Sequence, residues 1–230
     1  MAEKFDSQFQ MAHYSGVAPI FPLPETVFFP GTYLPLHIFE PRYRQMTRDA
    51  LAEERIICMT LLKEGWEDEY YQEPAIHTTG TLGYITEEER LEEGKYNILL
   101  QGIAKVKIKE VTSTTSYRKG ETSTIIEAED DWKVVQERKR LMRQFKGMIE
   151  LLEADLPMDE LEEENLSLEI LTNLLATWLP IPVPEKQKLL EINDISMRSQ
   201  IVREFLRQEM EDLSSLSDID FIFPDNPRWN

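Results

Sequence analysis

The spacing of hydrophobic residues changes near residue 131. Before that point, apolar residues occur in short runs such as "IICMTLL" or alternate strictly with polar ones. In "IAKVKIKEV" (103–111), Ala104, Val106 and Ile108 fall on one side of an extended chain and the lysines fall on the other. This alternation is typical of a half-buried strand. The pattern predicts a β-rich region over residues 17–131.

After residue 131 the apolar positions recur with the period of an α-helix, as at Leu141, Phe145 and Met148. The segment "NLSLEILTNLLATWL" is apolar almost all round and predicts a buried central helix. Four helices with short connections predict a bundle. The sequence then divides into four parts, and whether the middle two are separate domains or halves of one domain is left open. These parts are a leader (1–16), the β-rich subdomain (17–131), the helical bundle subdomain (132–213) and a tail (214–230).

Five prolines, at positions 22, 24, 30, 35 and 41, interrupt the apolar stretch "FPLPETVFFPGTYLPLHIFEPRY". Proline cannot donate a hydrogen bond to a β-ladder, so we expect these residues to mark the corners of a small, irregular barrel. Gly31 follows Pro30 and suits a turn with a backbone conformation that other residues resist. Pro41 is well placed to begin a helix, with Tyr43 on its buried side.

The composition excludes several classes of protein. The formal net charge is −18, which argues against a nucleic-acid partner, because such proteins need a basic surface. One cysteine and three scattered histidines argue against a disulfide framework or a structural zinc. The sequence shows no secretory signal and no apolar run near the ~20 residues of a membrane span. A cytoplasmic location and no membrane contact are expected.

Motifs for catalysis are missing from the sequence. It has no P-loop, no G-x-S-x-G elbow, no H-E-x-x-H and no recognisable Ser–Lys dyad. The acid-rich segment 150–164 lacks the ligand order of a calcium loop, and we interpret it as a solvated connector. We therefore predict a protein that is not an enzyme and has no catalytic residues, metal or cofactor.

Four blocks of the sequence, in order, carry a family resemblance. "FPLPETVFFPGTYLPLHIFEPRYRQM", "GTLGYI", "GKYNILLQGIAKVKI" and "LPIPVPEKQKLLE" resemble the Lon N-terminal (LON substrate-binding) domain over about residues 17–210. The resemblance implies an α+β fold, in which an irregular PUA-like β pseudo-barrel is followed by a C-terminal helical bundle. It also implies a stand-alone protein of this family, without the ATPase and peptidase domains of the full protease.

Five residues match the family's opening motif and are expected to be structural. Glu40, Arg42 and Tyr43 match its E-x-R-Y block, and Pro30 and Gly31 match its P-G turn. We interpret Glu40 and Arg42 as an ion pair or helix cap rather than a ligand site.

The resemblance implies a non-catalytic module that binds unfolded or exposed apolar segments of other proteins, as a substrate-recognition or adaptor protein for a separate ATP-dependent protease. Phe28, Phe29 and Tyr33 are the candidate contacts, if the proline corners leave them exposed. One alternative is an RNA-binding PUA-like module that uses a stripe of three lysines, Lys105, Lys107 and Lys109. Another is a small-ligand pocket between barrel and bundle, with His37 and Glu40 as its first titratable candidates.

Overall fold

The computed structural model describes residues 14–69, 73–127, 132–152 and 166–216 of the 230. A β-rich part and a helical part follow one another in the chain, as predicted. The strands are β1 (Val17–Leu23), β2 (Tyr33–Ile38), β3 (Ile56–Leu61), β4 (Thr79–Arg90), β5 (Tyr96–Val111) and β6 (Lys119–Thr124). The helices are α1 (Pro41–Ala52), α2 (Trp132–Leu151), α3 (Leu168–Trp178), α4 (Val183–Glu191) and α5 (Ile195–Leu216). Most of the leader, the acid-rich connector and the tail lie outside the described residues.

The six strands form one sheet that closes on itself. Its order is β2-β5-β4-β3-β1-β6, and β6 also pairs with β5. The long strand β5 makes this closure possible, because its first half pairs with β2 and its second half with β6. The only parallel pair among the described strands joins β1 to β3. The expected α+β fold, a pseudo-barrel followed by a helical bundle, is therefore confirmed.

The prolines of the opening stretch have three different roles. Pro24 and Pro30 lie in the loop between β1 and β2, and Pro41 is the first residue of α1, as predicted. The expectation that all five mark corners is wrong for Pro22 and Pro35, which lie inside β1 and β2. Pro35 is tolerated because β2 is the last strand of the sheet order and pairs on one side with β5.

Two adjacent phenylalanines join the barrel to the bundle. The Phe28 ring packs in the barrel core, whereas Phe29 packs in the core of the helices. Their carbonyls are held by hydroxyl donors: Thr81 Oγ1 donates to Phe28 O at 2.6 Å and Thr32 Oγ1 donates to Phe29 O at 2.7 Å. The loop that carries them, residues 24–32, is thus fixed to both parts of the molecule.

Contacts from both sides hold this loop. Asn173 of α3 is buried and its Nδ2 donates to Pro30 O at 3.0 Å. Gly31 adopts the expected positive φ of 76°. Gly102 lies so close to the loop that a Cβ there would be 2.4 Å from Phe29 O. Gly102 therefore lets the loop lie directly against β5.

A buried ion cluster makes a second connection between barrel and bundle. Lys105 of β5 and Arg198 of α5 both bind the carboxylate of Glu127, and all three side chains are at most 4% exposed. Arg198 donates to both carboxylate oxygens, at 2.6 and 2.7 Å. The expected lysine stripe on a solvent face is therefore wrong for Lys105, because α5 and the segment before it cover that side of β5.

Candidate functional site

The β1–β2 loop and the α3–α4 connection enclose a small pocket. Its volume is about 180 Å³. Both walls are largely apolar, and α4 adds one lysine. The lining residues are Glu25, Thr26, Val27, Phe28, Thr32, Tyr33 and Leu34 from the barrel, and Thr177, Ile181, Val183 and Lys186 from the helices. An apolar cavity of roughly 150 Å³ holds a benzene-sized molecule, so this pocket has room for one leucine or phenylalanine side chain.

The three candidate contact residues lie in different environments. Tyr33 is 55% exposed and lines the pocket. Phe28 and Phe29 are buried, at 5% and 0% exposure. The exposure expected of these two residues is not found, because the proline loop turns one ring into each core. Phe28 still forms part of the inner wall of the pocket. A role in polypeptide binding stays a prediction for all three residues.

From Tyr33 an exposed aromatic stripe continues along β2. The side chains of β2 alternate, so that Leu34, Leu36 and Ile38 turn inward and the odd-numbered residues turn outward. We define the aromatic stripe as Tyr33, Pro35, His37 and Phe39. Phe39 is 59% exposed, and its ring stacks on that of His37 with centroids 6.1 Å apart. At ~3.3 Å per residue the stripe is roughly 20 Å long, which matches an extended peptide of six or seven residues.

The main chain of β2 is also available along its outer edge. The Gly102 amide donates to the Thr32 carbonyl, so Thr32 forms a hydrogen-bonded pair with β5. In an antiparallel ladder, hydrogen-bonded residue pairs alternate with pairs that are not hydrogen-bonded to each other. The main-chain groups of Tyr33, Pro35 and His37 therefore face away from β5. Pro35 has no N–H to offer there, which shortens the ladder that an added strand could form.

Acidic and polar side chains border the aromatic stripe. His37 Nδ1 lies 2.8 Å from Asn97 Oδ1, and Asn97 Nδ2 donates to Glu89 Oε2 at 2.8 Å. Glu87 lies beside Leu99, which is the β5 partner of Pro35. The stripe thus combines apolar rings with a hydrogen-bonded polar border.

Three of the five family-motif residues lie at the start of α1. Arg42 and Glu40 form the ion pair considered for them, with 3.1 Å between Nη2 and Oε2. The Arg42 guanidinium also lies 4.6 Å from the centre of the Tyr43 ring. Tyr43 is buried and packs against Phe21 in the barrel core, with the two rings tilted by 37°. His37 and Glu40 lie outside the lining of the pocket between the loop and the helices.

A cavity of about 680 Å³ lies between α4 and the segment 61–67. His77 and Gln187 both contact Glu191 there, at 3.0 and 2.9 Å. Burial acts to raise the pKa of Glu191, but these hydrogen bonds outweigh it and lower the pKa, so the carboxylate stays ionised. The described residues that line this cavity include no serine, threonine or cysteine.

Two further kinds of site are absent from the described ranges. No group of three or more His, Cys, Asp or Glu side chains there could hold a metal ion. None of the helices in those ranges combines the length and the apolar character needed to cross a bilayer.

Sequence reasoning missed two parts of the site. Phe39 was not a candidate, although the alternation from Tyr33 to Phe39 places aliphatic residues on one face and rings on the other. The helical wall of the pocket was also missed, since Ile181 and Val183 approach Tyr33 only in the folded chain. The alternation could have identified the aromatic stripe, whereas no local signal identifies the pocket.

Comparison with known proteins agrees with this architecture. A family model described as the ATP-dependent protease La (LON) substrate-binding domain matches residues 17–208. Lon protease of Anaeromyxobacter dehalogenans is 29% identical over 211 residues, which cover 89% of this chain and 24% of that protein. Lon protease 2 of Myxococcus xanthus is 29% identical over 207 residues, covering 89% and 25% respectively. The chain therefore spans about a quarter of the length of these curated relatives.

Two solved structures share the fold. The N-terminal domain of a Mycobacterium avium complex Lon protease superposes with a TM-score of 0.69 at 16% identity, covering 83% of this chain and 98% of that one. A Lon N-terminal domain protein from Xanthomonas campestris gives 0.60 at 23% identity, covering 82% and 97%. Since the family model covers most of the sequence, the chain belongs to the LON substrate-binding domain family.

Proposed function

We propose that this protein is a non-catalytic module that binds exposed, apolar segments of unfolded polypeptides. The observation that carries the proposal is the exposed aromatic stripe on β2, which ends at an apolar pocket of about 180 Å³. The description of the family as a substrate-binding domain supports the same function. In this proposal a polypeptide lies along Tyr33–Phe39 and places one apolar side chain in the pocket.

The geometry of the pocket beside Tyr33 suits an extended peptide better than a small ligand. Small-molecule sites usually enclose roughly 300–1,000 Å³, and this pocket is smaller. Peptides that add to a sheet edge gain affinity from main-chain hydrogen bonds and specificity from side-chain pockets. Here Tyr33 and His37 can supply such hydrogen bonds, and the rings of Tyr33 and Phe39 can bury apolar surface.

We further propose that an ATP-dependent protease is the partner, and that the chain presents substrates to it as an adaptor in the cytoplasm. The family description supports the link to proteolysis. The sequence motifs support the non-catalytic part, since the 230 residues contain neither a P-loop nor a Ser–Lys dyad signature. RNA binding is less well supported, because Lys105 is buried and paired with Glu127.

Fluorescence anisotropy with an alkylated, permanently unfolded model polypeptide tests the proposal. We expect saturable binding that changes little with moderate salt and weakens at least fivefold in Tyr33→Ala and Phe39→Ala. Met197→Ala is the matched control, because Met197 is 54% exposed on α5 and belongs neither to the stripe nor to the lining of the pocket. Equal binding by all these variants would refute the site. Binding of a structured RNA with a steep salt dependence would favour the alternative.

A further inference from the structure

The pocket beside Tyr33 contains a cation that no carboxylate of the described residues neutralises. Lys186 lines its helical wall and is half-buried, and its Nζ donates to the carbonyl of Thr177 at 2.8 Å. Among the described residues, no Asp or Glu oxygen lies within 4.0 Å of this ammonium. Burial is the sole cause of the lowered pKa of Lys186. An unneutralised ammonium in an apolar pocket is unexpected in a chain with a net charge of −18.

The two nearby acids, Glu25 and Glu185, do not neutralise the ammonium of Lys186. Glu25 lines the mouth of the pocket, but its side chain is exposed to water. Glu185, on the same helix as Lys186, pairs instead with Lys188, with 2.6 Å between Oε1 and Nζ. An ammonium has three donors, and only one of those on Lys186 has a partner within the described residues. The other two donors have no acceptor in the part of the chain that the structure describes, and they can bind an anion.

We propose that the pocket binds the C-terminal residue of a polypeptide, with an apolar side chain in the cavity and its α-carboxylate on Lys186. This inference rests on the polypeptide-binding function proposed above and specifies which part of the polypeptide is recognised. Two features together select this ligand. The cavity accepts one large apolar side chain, and the ammonium of Lys186 attracts a negative charge next to it. A chain terminus supplies both, whereas an internal residue supplies only the side chain.

The extended backbone of β2 beside the pocket fits the same ligand. Tyr33 begins the aromatic stripe at the pocket, so a chain that ends in the pocket can continue along β2 toward Phe39. The terminal residue is then held at one end and the preceding residues pair with the strand edge. Charge-assisted hydrogen bonds to the carboxylate add to that contact.

Four N-terminally labelled peptides of one unfolded sequence test the inference by anisotropy. They end in leucine free acid, leucine amide, serine free acid or serine amide. For the native protein we expect the leucine acid to bind at least tenfold more tightly than the leucine amide. We expect the serine acid to bind at least threefold more weakly than the leucine acid. Lys186→Met keeps the apolar stem of the side chain and is expected to abolish the preference for acid over amide.

Lys188→Met is the matched control, because Lys188 is exposed on the same helix. This replacement should leave the tenfold preference for acid over amide unchanged. Thermal melting verifies that both variants remain folded. Equal binding of acid and amide by the native protein overturns the inference. In that case the proposed function still stands if the binding of both peptides, acid and amide, depends on Tyr33. If none of the four peptides binds, both the inference and the proposed function are overturned. A preference that survives in Lys186→Met overturns the assignment to this lysine.

Discussion

Replacing Glu127 with glutamine removes the carboxylate that binds both Lys105 and Arg198 between barrel and bundle. Glutamine keeps the shape of the side chain, so the change tests charge rather than packing. The two cations that remain are 2% and 1% exposed and cannot turn toward water without moving α5. Burial already acts to lower the pKa of Lys105, and Glu127 opposes that shift.

Breaking a buried ion pair by removing one partner costs about 3–5 kcal/mol. The stability of single domains is typically about 5–15 kcal/mol, so Glu127→Gln should remove a third or more of a mid-range value. For a chain of this size, each kcal/mol of lost stability lowers Tm by roughly 2–4 °C. We therefore expect Tm to fall by about 10 °C.

Urea unfolding monitored by tryptophan fluorescence measures this loss. Glu137→Gln is the matched control, since Glu137 is also buried but its partners Arg140 and Arg203 are 58% and 27% exposed. Those arginines can be hydrated, so we expect a loss of about 1 kcal/mol. Adding Lys105→Met to Glu127→Gln removes one unpaired cation and should restore part of the stability. A loss below about 1 kcal/mol in Glu127→Gln would refute the reasoning.

Three further changes test other contacts. Asn173→Leu should cost about 1–3 kcal/mol in urea unfolding, because it leaves the buried Pro30 carbonyl without its donor; an unchanged midpoint would contradict this. Gly102→Ala should destabilise by about 1–3 kcal/mol, because its Cβ meets main chain, whereas Gly147→Ala in α2 should be neutral or gain up to about 1 kcal/mol. Burial raises the pKa of Cys58 from 9.0 to about 12. Above pH 9 the unfolded thiol ionises and the native one does not, so stability should fall as pH rises, by about 1.4 kcal/mol per unit. Cys58→Ala should remove that part of the slope.

Local pattern was sufficient to predict the helices and the second half of β5, because the spacing of apolar residues reflects the face that each element buries. It did not place Pro22 and Pro35 inside strands. The alternation of Ala104, Val106 and Ile108 predicted the buried face of β5, and all three residues are buried. Pro41 begins α1 as its fixed φ suggested. Pro180 and Pro182 lie in the extended connector before α4, and Pro184 is the second residue of that helix.

The errors arose where distant segments meet. Lys105 alternates with apolar residues like a solvent-facing lysine, and only the packing of α5 shows that it is buried. Phe28 and Phe29 are equivalent by sequence pattern, but each is buried by a different part of the chain. Lys186 lies in an ordinary amphipathic helix, and its place in an apolar pocket depends on a loop more than 150 positions away.

The peptide unit between Phe28 and Phe29 has a consequence for cooperativity. A fluctuation that withdraws the loop removes an aromatic ring from both cores at once, so neither part can open while the other remains complete. We therefore expect barrel and bundle to melt as one thermodynamic unit, with slowly exchanging amides in β4 and α3 that share a single opening free energy. The change in hydrophobic spacing near residue 131 would then mark a change of architecture within one cooperative folding unit, not a boundary between two such units.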